Sequence, residues 1–124
     1  MNIVAETEKD FIEKIIDVMA IGLPAENQLA PPEKRFLVEC VALAWNGYDI
    51  GSRSAVVELN KIFGWAKNSR YVYKFRGYLK DKKWLDMTAY GIHNLPPTLA
   101  KRLPSELTIT MTIRRQEKDG NNSR

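Results

Sequence analysis

The sequence predicts an α+β domain in which helices come first and a pair of strands comes last. Three observations predict it. Apolar residues recur at helical spacing in four segments before Lys83, each bounded by glycine, proline or a capping residue. Leu107, Ile109, Met111 and Ile113 alternate with Thr108, Thr110 and Thr112, the period of a strand with one buried face. Upstream, residues 84–89 (WLDMTA) supply a second candidate strand.

The first helix opens at Thr7, where a hydroxyl cap is followed three residues later by Asp10 in the layout of a capping box. Phe11, Ile12, Ile15, Ile16, Val18 and Met19 give it a wide apolar stripe up to Ile21, and Gly22 and Pro24 end it. Residues 23–30 read as a linker. Pro31, Pro32 and Glu33 open a second helix, since proline suits a first turn whose amides have no partner anyway. It runs to about Trp45. Phe36, Leu37, Cys40, Val41, Leu43 and Ala44 occupy most of its circumference, which marks it as the central buried helix. Asn46 and Gly47 stop it, and residues 48–50 read as a short extended piece.

A third helix begins at Ser52 or Ser54, either of which can accept from a free amide of the first turn. Val56, Leu59, Ile62 and Phe63 form its stripe, and Gly64 follows where a left-handed residue ends helices. Asn68 and Ser69 then offer a new cap, so a fourth helix is expected over residues 68–83. Tyr71, Val72, Phe75, Tyr78 and Leu79 fall on one side of it. Arg70, Tyr73, Lys74, Gly77 and Lys80 fall on the other, with Arg76 at the edge of that face. Residues 90–106 form a loop of seventeen residues with three prolines, long enough to hold one helical turn over 97–103. The tail beyond Arg115 has no apolar residue to anchor it and is expected to be disordered.

Charge is distributed unevenly. Residues 53–83 carry nine Lys or Arg against two acids, a net of +7, while the 124-residue chain as a whole has a net charge of only +4. Residues 1–49 carry a net of −5 and are poorly suited to lie against phosphates. Two helices separated by a glycine-containing turn, with a cationic face on the second, make a helix-turn-helix pattern. A helix that is merely solvated usually mixes signs to gain pairs at four-residue spacing, and acids are nearly absent here.

With these elements in order, the chain resembles the winged helix-turn-helix superfamily over residues 32–115. The resemblance rests on ELNKIFGW as the second helix of the motif and on NSRYVYKFRGYLKDKKWL as the recognition helix leading into the first wing strand. It implies a three-helix core with a β-hairpin wing, to which the helix over 7–21 is an addition. It places base-reading positions at Arg70, Tyr73, Lys74 and Gly77, and the wing at residues 90–106, with Lys101 and Arg102 on phosphates. The loop's length and its prolines depart from the family pattern. The domain plan is therefore an acidic helix and linker over 1–31, the winged domain over 32–115 and a tail over 116–124.

The chemistry of the basic segment suits duplex DNA. Lys and Arg neutralise phosphates and release counterions, the main source of sequence-independent affinity. Arg53, Lys67, Arg70, Lys74 and Lys80 are the candidate cations, and Asn68 and Ser69 at a helix start can hydrogen-bond a phosphate. Arg70 is placed to reach a guanine edge. Gly77 in mid-helix costs about 1 kcal/mol relative to alanine, which either close approach to a groove or close packing against another helix would offset. Trp65, Trp45 and Trp84 read as core residues.

Catalysis has little to draw on. His93 is the only histidine and Cys40 the only cysteine, so neither a His/Cys metal site nor a disulfide is expected, and Cys40 reads as a small core residue. No glycine-rich phosphate loop occurs, no carboxylate pair has a distinctive spacing, and no cofactor is expected. A single cysteine, an acidic amino terminus unlike a secretory signal and the lack of a long apolar run lead to the expectation of a cytoplasmic, DNA-binding transcriptional regulator. A replication or packaging factor of a phage or plasmid would share these features. The rival from another class is a protein-interaction adaptor, with the helix over 7–21 as a homodimer or partner surface.

Overall fold

The computed structural model describes residues 5, 7–66, 70–87 and 93–102. Helix α1 (Glu8–Ala20) is capped as its sequence requires, with Thr7 Oγ1 accepting from the Asp10 amide at 3.1 Å. A single 3-10 turn (Ala25–Asn27) follows, and α2 runs over Pro31–Trp45. Its start is secured by Glu33, whose Oε1 accepts from the Ala30 amide at 2.7 Å. Helix α3 (Arg53–Phe63) takes Ser52 as its cap and ends at Gly64, which adopts φ 69°. That left-handed geometry is why glycine stands there. Helix α4 (Tyr71–Asp81) starts after Arg70, and a one-turn helix α5 (Pro97–Ala100) lies in the segment expected to hold one.

Helix α2 is the centre. Phe36, Leu37 and Val41 are fully buried, and α1, α3, α4 and α5 all pack on it. From α1 it receives Phe11, Ile12, Ile15 and Ile16; from α4, Val72 and Leu79; from α5, Leu99. Ion pairs tie α1 to α2 at the surface, with Lys34 3.2 Å from both Glu13 and Asp17, and Lys9 2.8 Å from the largely buried Glu39. Phe11, Ile12, Ile15 and Ile16 of the apolar stripe of α1 are therefore packed within the domain, while Val18 and Met19 are half-buried and Ile21 is exposed. Helix α1 shares one core with the helices that follow.

Polar contacts lock the ends of the helices together. The Trp84 indole donates to the Asn27 carbonyl at 2.8 Å, and the Asn27 side chain donates to the Lys82 carbonyl at 2.9 Å. The Trp45 indole donates to the Leu99 carbonyl at 2.9 Å and fastens α5 to the end of α2.

The fold class corrects the sequence reading. The described residues are helical, and the α+β winged architecture with a β-hairpin wing is not seen among them. The β-structure they contain is a ladder of two residues on each side, β1 (Asp86–Met87) paired antiparallel with β2 (His93–Asn94). The reason lies next to it. Leu95 turns into the core, Pro96 has no amide to donate to a ladder, and Pro97 begins α5, so β2 ends after Asn94. Residues 48–50, expected to be extended, instead enter a turn in which the Ser52 amide donates to the Asp49 carbonyl at 2.9 Å and the Gly51 amide to Asp49 Oδ1 at 3.0 Å. The strand expected over 107–113 and the tail lie outside the described residues.

Candidate nucleic-acid interface

Residues 64–70 separate α3 from α4. The two helices pack against each other, and both pack on α2. The rotation of α4 about its axis is set by Val72, Arg76 and Leu79, which face the core. The sequence reading placed Arg76 at the edge of the cationic face. Instead it is 4% exposed and donates from Nη2 to the Ile50 carbonyl, with its guanidinium 5.7 Å from the centre of the Tyr73 ring. Burial pulls its proton affinity down, and the neighbouring Cys40, Tyr73 and Asp49 oppose that pull.

The opposite side of α4 carries Arg70, Lys74, Gly77 and Asp81 at steps of four, three and four, one line along the helix. Tyr73 and Lys80 flank that line. Arg70, Tyr73, Lys74 and Lys80 are exposed, and none of the three cations has a carboxylate partner among the described residues. Asp81 closes the line with a negative charge at its carboxyl end. A Cβ added at Gly77 would meet nothing within 4 Å, so close packing against another helix does not account for this glycine.

Other predicted residues are distributed differently. Arg53 is exposed at the first position of α3, and Lys101 is exposed after α5. Arg102 does not stand free as a phosphate contact. It pairs with Glu8, donates from Nη2 to the Trp45 carbonyl at 3.1 Å and to Asn46 Oδ1 at 3.3 Å, and lies 6.0 Å from the centre of the Trp45 ring. Lys67, Asn68 and Ser69 lie outside the described residues. Two further cations of the basic segment are engaged by acids, Lys61 by Glu58 at 3.3 Å and Lys82 by Glu33 at 2.5 Å. Lys83, which the sequence reading did not single out, is exposed two residues beyond the end of α4 with φ 70°.

Cys40 is buried, and loss of solvent pushes its thiol up to about 12, so it stays protonated at neutral pH. Among the described residues no group of three His, Cys, Asp or Glu is placed to hold a metal ion, and no helix is long and apolar enough to cross a membrane. No family model, no curated protein and no solved structure matches this chain.

Proposed function

We propose that the protein binds duplex DNA through the exposed face of α4. The observation that supports this reading is the line Arg70–Lys74–Gly77 with Lys80 beside it. These are cations without acid partners among the described residues, around a glycine that no packing requires. Cations free of intramolecular partners keep their full charge for phosphates, and a missing side chain lets a helix approach a groove closely. Arg53, Lys83 and Lys101 supply further exposed charge at either end of the helix pair and after α5. The role we attach to it is transcriptional regulation, whose mark is preference for particular sites over random sequence.

Fluorescence anisotropy with a random-sequence duplex across a salt series tests the reading. Contact with about four phosphates gives log K a slope of about −3.6 against log salt. The triple variant Arg70→Ala, Lys74→Ala, Lys80→Ala, all exposed positions, loses most of that affinity and lowers the slope. Wild-type affinity in this variant, or no binding at low salt, refutes the assignment. Selection from a random pool then separates a regulator, which enriches a site, from a general DNA-coating protein, which does not.

A further inference from the structure

On another flank of α4 the side chains build a cleft that the nucleic-acid reading does not use. Its walls are the rings of Phe36, Phe63, Trp65 and Phe75, contributed by α2, α3, the segment after α3, and α4. The rings are nearly parallel. Trp65 and Phe75 are 5.6 Å apart at 8°, Phe36 and Phe75 5.2 Å at 18°, and Phe63 and Trp65 4.7 Å at 18°. The cleft is open to solvent on one side and holds about 440 Å³, within the range of roughly 300–1,000 Å³ typical of small-molecule sites. Pro31, Pro32 and Arg35 form its rim.

We propose that this cleft binds a small planar aromatic carboxylic acid, its ring parallel to the stack and its carboxylate on Arg35. The four rings already touch one another, so an added ring lies against the half-exposed Trp65 and Phe75 in the offset stack that aromatic faces favour. Among the described residues Arg35 is the one cation lining the cleft. Its guanidinium is held 5.3 Å from the centre of the Phe63 ring, and it has no acid partner among the described residues. That leaves its planar fork of donors for a carboxylate. Glu33, the acid nearest in sequence, is already neutralised by Lys82 at 2.5 Å. Pro31 and Pro32 remove two amides from the first turn of α2, so anion recognition at this rim falls to Arg35 and not to the backbone.

Trp65 adds a second donor. The indole N–H groups of Trp45 and Trp84 are both bonded to backbone carbonyls, while that of Trp65 has no acceptor among the described residues. A single cation matches a ligand with one negative charge. A nucleic-acid strand, with a phosphate at every nucleotide, calls for a row of cations that the described lining residues do not supply. The proposal does not rest on DNA binding by α4, and its test is run without DNA.

The probe is 2-naphthoate, titrated by calorimetry and followed by the tryptophan indole N–H resonances, with the Trp65 signal assigned from Trp65→Phe. Saturable binding with Kd on the order of 1 mM or tighter is expected, with the Trp65 resonance shifting and those of Trp45 and Trp84 staying in place. Arg35→Ala, at an exposed position, weakens binding at least about tenfold. The neutral analogue 2-naphthalenemethanol binds wild type and Arg35→Ala alike. No saturation up to about 10 mM, or equal naphthoate affinity in Arg35→Ala, overturns the proposal. Tighter, Arg35-dependent binding of adenosine monophosphate also overturns it, by making the cleft a nucleotide site.

Discussion

Arg76 reaches from α4 into the core and donates to the carbonyl of Ile50, so one cation of the basic helix holds the turn between α2 and α3. A buried guanidinium is costly to desolvate, and removing it leaves the Ile50 carbonyl without this donor. Arg76→Ala is expected to destabilise the fold by about 2–4 kcal/mol in urea denaturation, from the cavity and the orphaned carbonyl together. Arg76→Met keeps the volume and removes the charge, and costs about 1 kcal/mol. Duplex affinity in Arg76→Met stays within about twofold of wild type if counterion release comes only from the exposed face. A larger loss would put Arg76 at the interface.

Gly77 weakens α4 without a packing reason, since a Cβ there meets open space. Gly77→Ala should stabilise the fold by about 0.5–1 kcal/mol and raise Tm by a few degrees. The same substitution should weaken duplex binding several-fold, because the methyl group stands on the face assigned to the groove. Gain of stability with unchanged affinity would remove Gly77 from the interface and leave the cations in it.

Lys83 holds φ 70°, a left-handed conformation that costs a residue with a Cβ about 1 kcal/mol. The geometry is required because the Trp84 amide turns back to the Leu79 carbonyl at 2.8 Å and the Lys83 amide to Lys80 at 3.0 Å. Lys83→Gly relieves the strain, less the extra entropy glycine loses on folding, for a net gain of about 0.5 kcal/mol. Thermal unfolding reads it as a rise of about 2 °C. A fall in Tm would mean that the lysine side chain stabilises the turn by more than its backbone strain costs.

Glu33 links α2 to the end of α4 through Lys82. Burial by itself raises its carboxyl pKa, but the Lys82 hydrogen bond, the Ala30 amide and the Lys82 charge outweigh burial and hold it below the ordinary 4.5. A depressed carboxylate contributes stability that is complete above the unfolded value and is lost as pH falls through the folded one. Stability measured by denaturant from pH 6 downward should therefore drop below about pH 4.5. In Glu33→Gln that part of the drop should be missing, with lower stability at pH 6. Parallel curves for the two proteins would show that the pair carries no linked proton.

The limits and caps of α1, α2 and α3 were legible in the sequence because their causes are local, whereas α4 starts after Arg70 and ends at Asp81, inside the 68–83 expected for it. Thr7 and Ser52 accept from amides three residues on, Gly64 takes the left-handed position, and Pro31 opens α2 where its sequence places it. The central position of α2 was legible too, since a helix apolar on most sides must be surrounded. What the tertiary structure alone decided is which way each helix faces and which charges remain free. The apolar stripe read for α4 put Tyr71, Phe75 and Tyr78 inward, yet Tyr71 is 52% exposed and Arg76 is 4% exposed. The difference comes from the facing elements. The Ile50 carbonyl gives Arg76 an acceptor, while Phe36, Phe63 and Trp65 meet Phe75 around a cleft that stays open. Likewise Glu33 takes Lys82, and Glu8 and Asn46 take Arg102, pairings across 49, 94 and 56 residues of chain that no local pattern encodes. Local sequence sets where a helix starts and stops, whereas burial and pairing depend on partners distant in the chain.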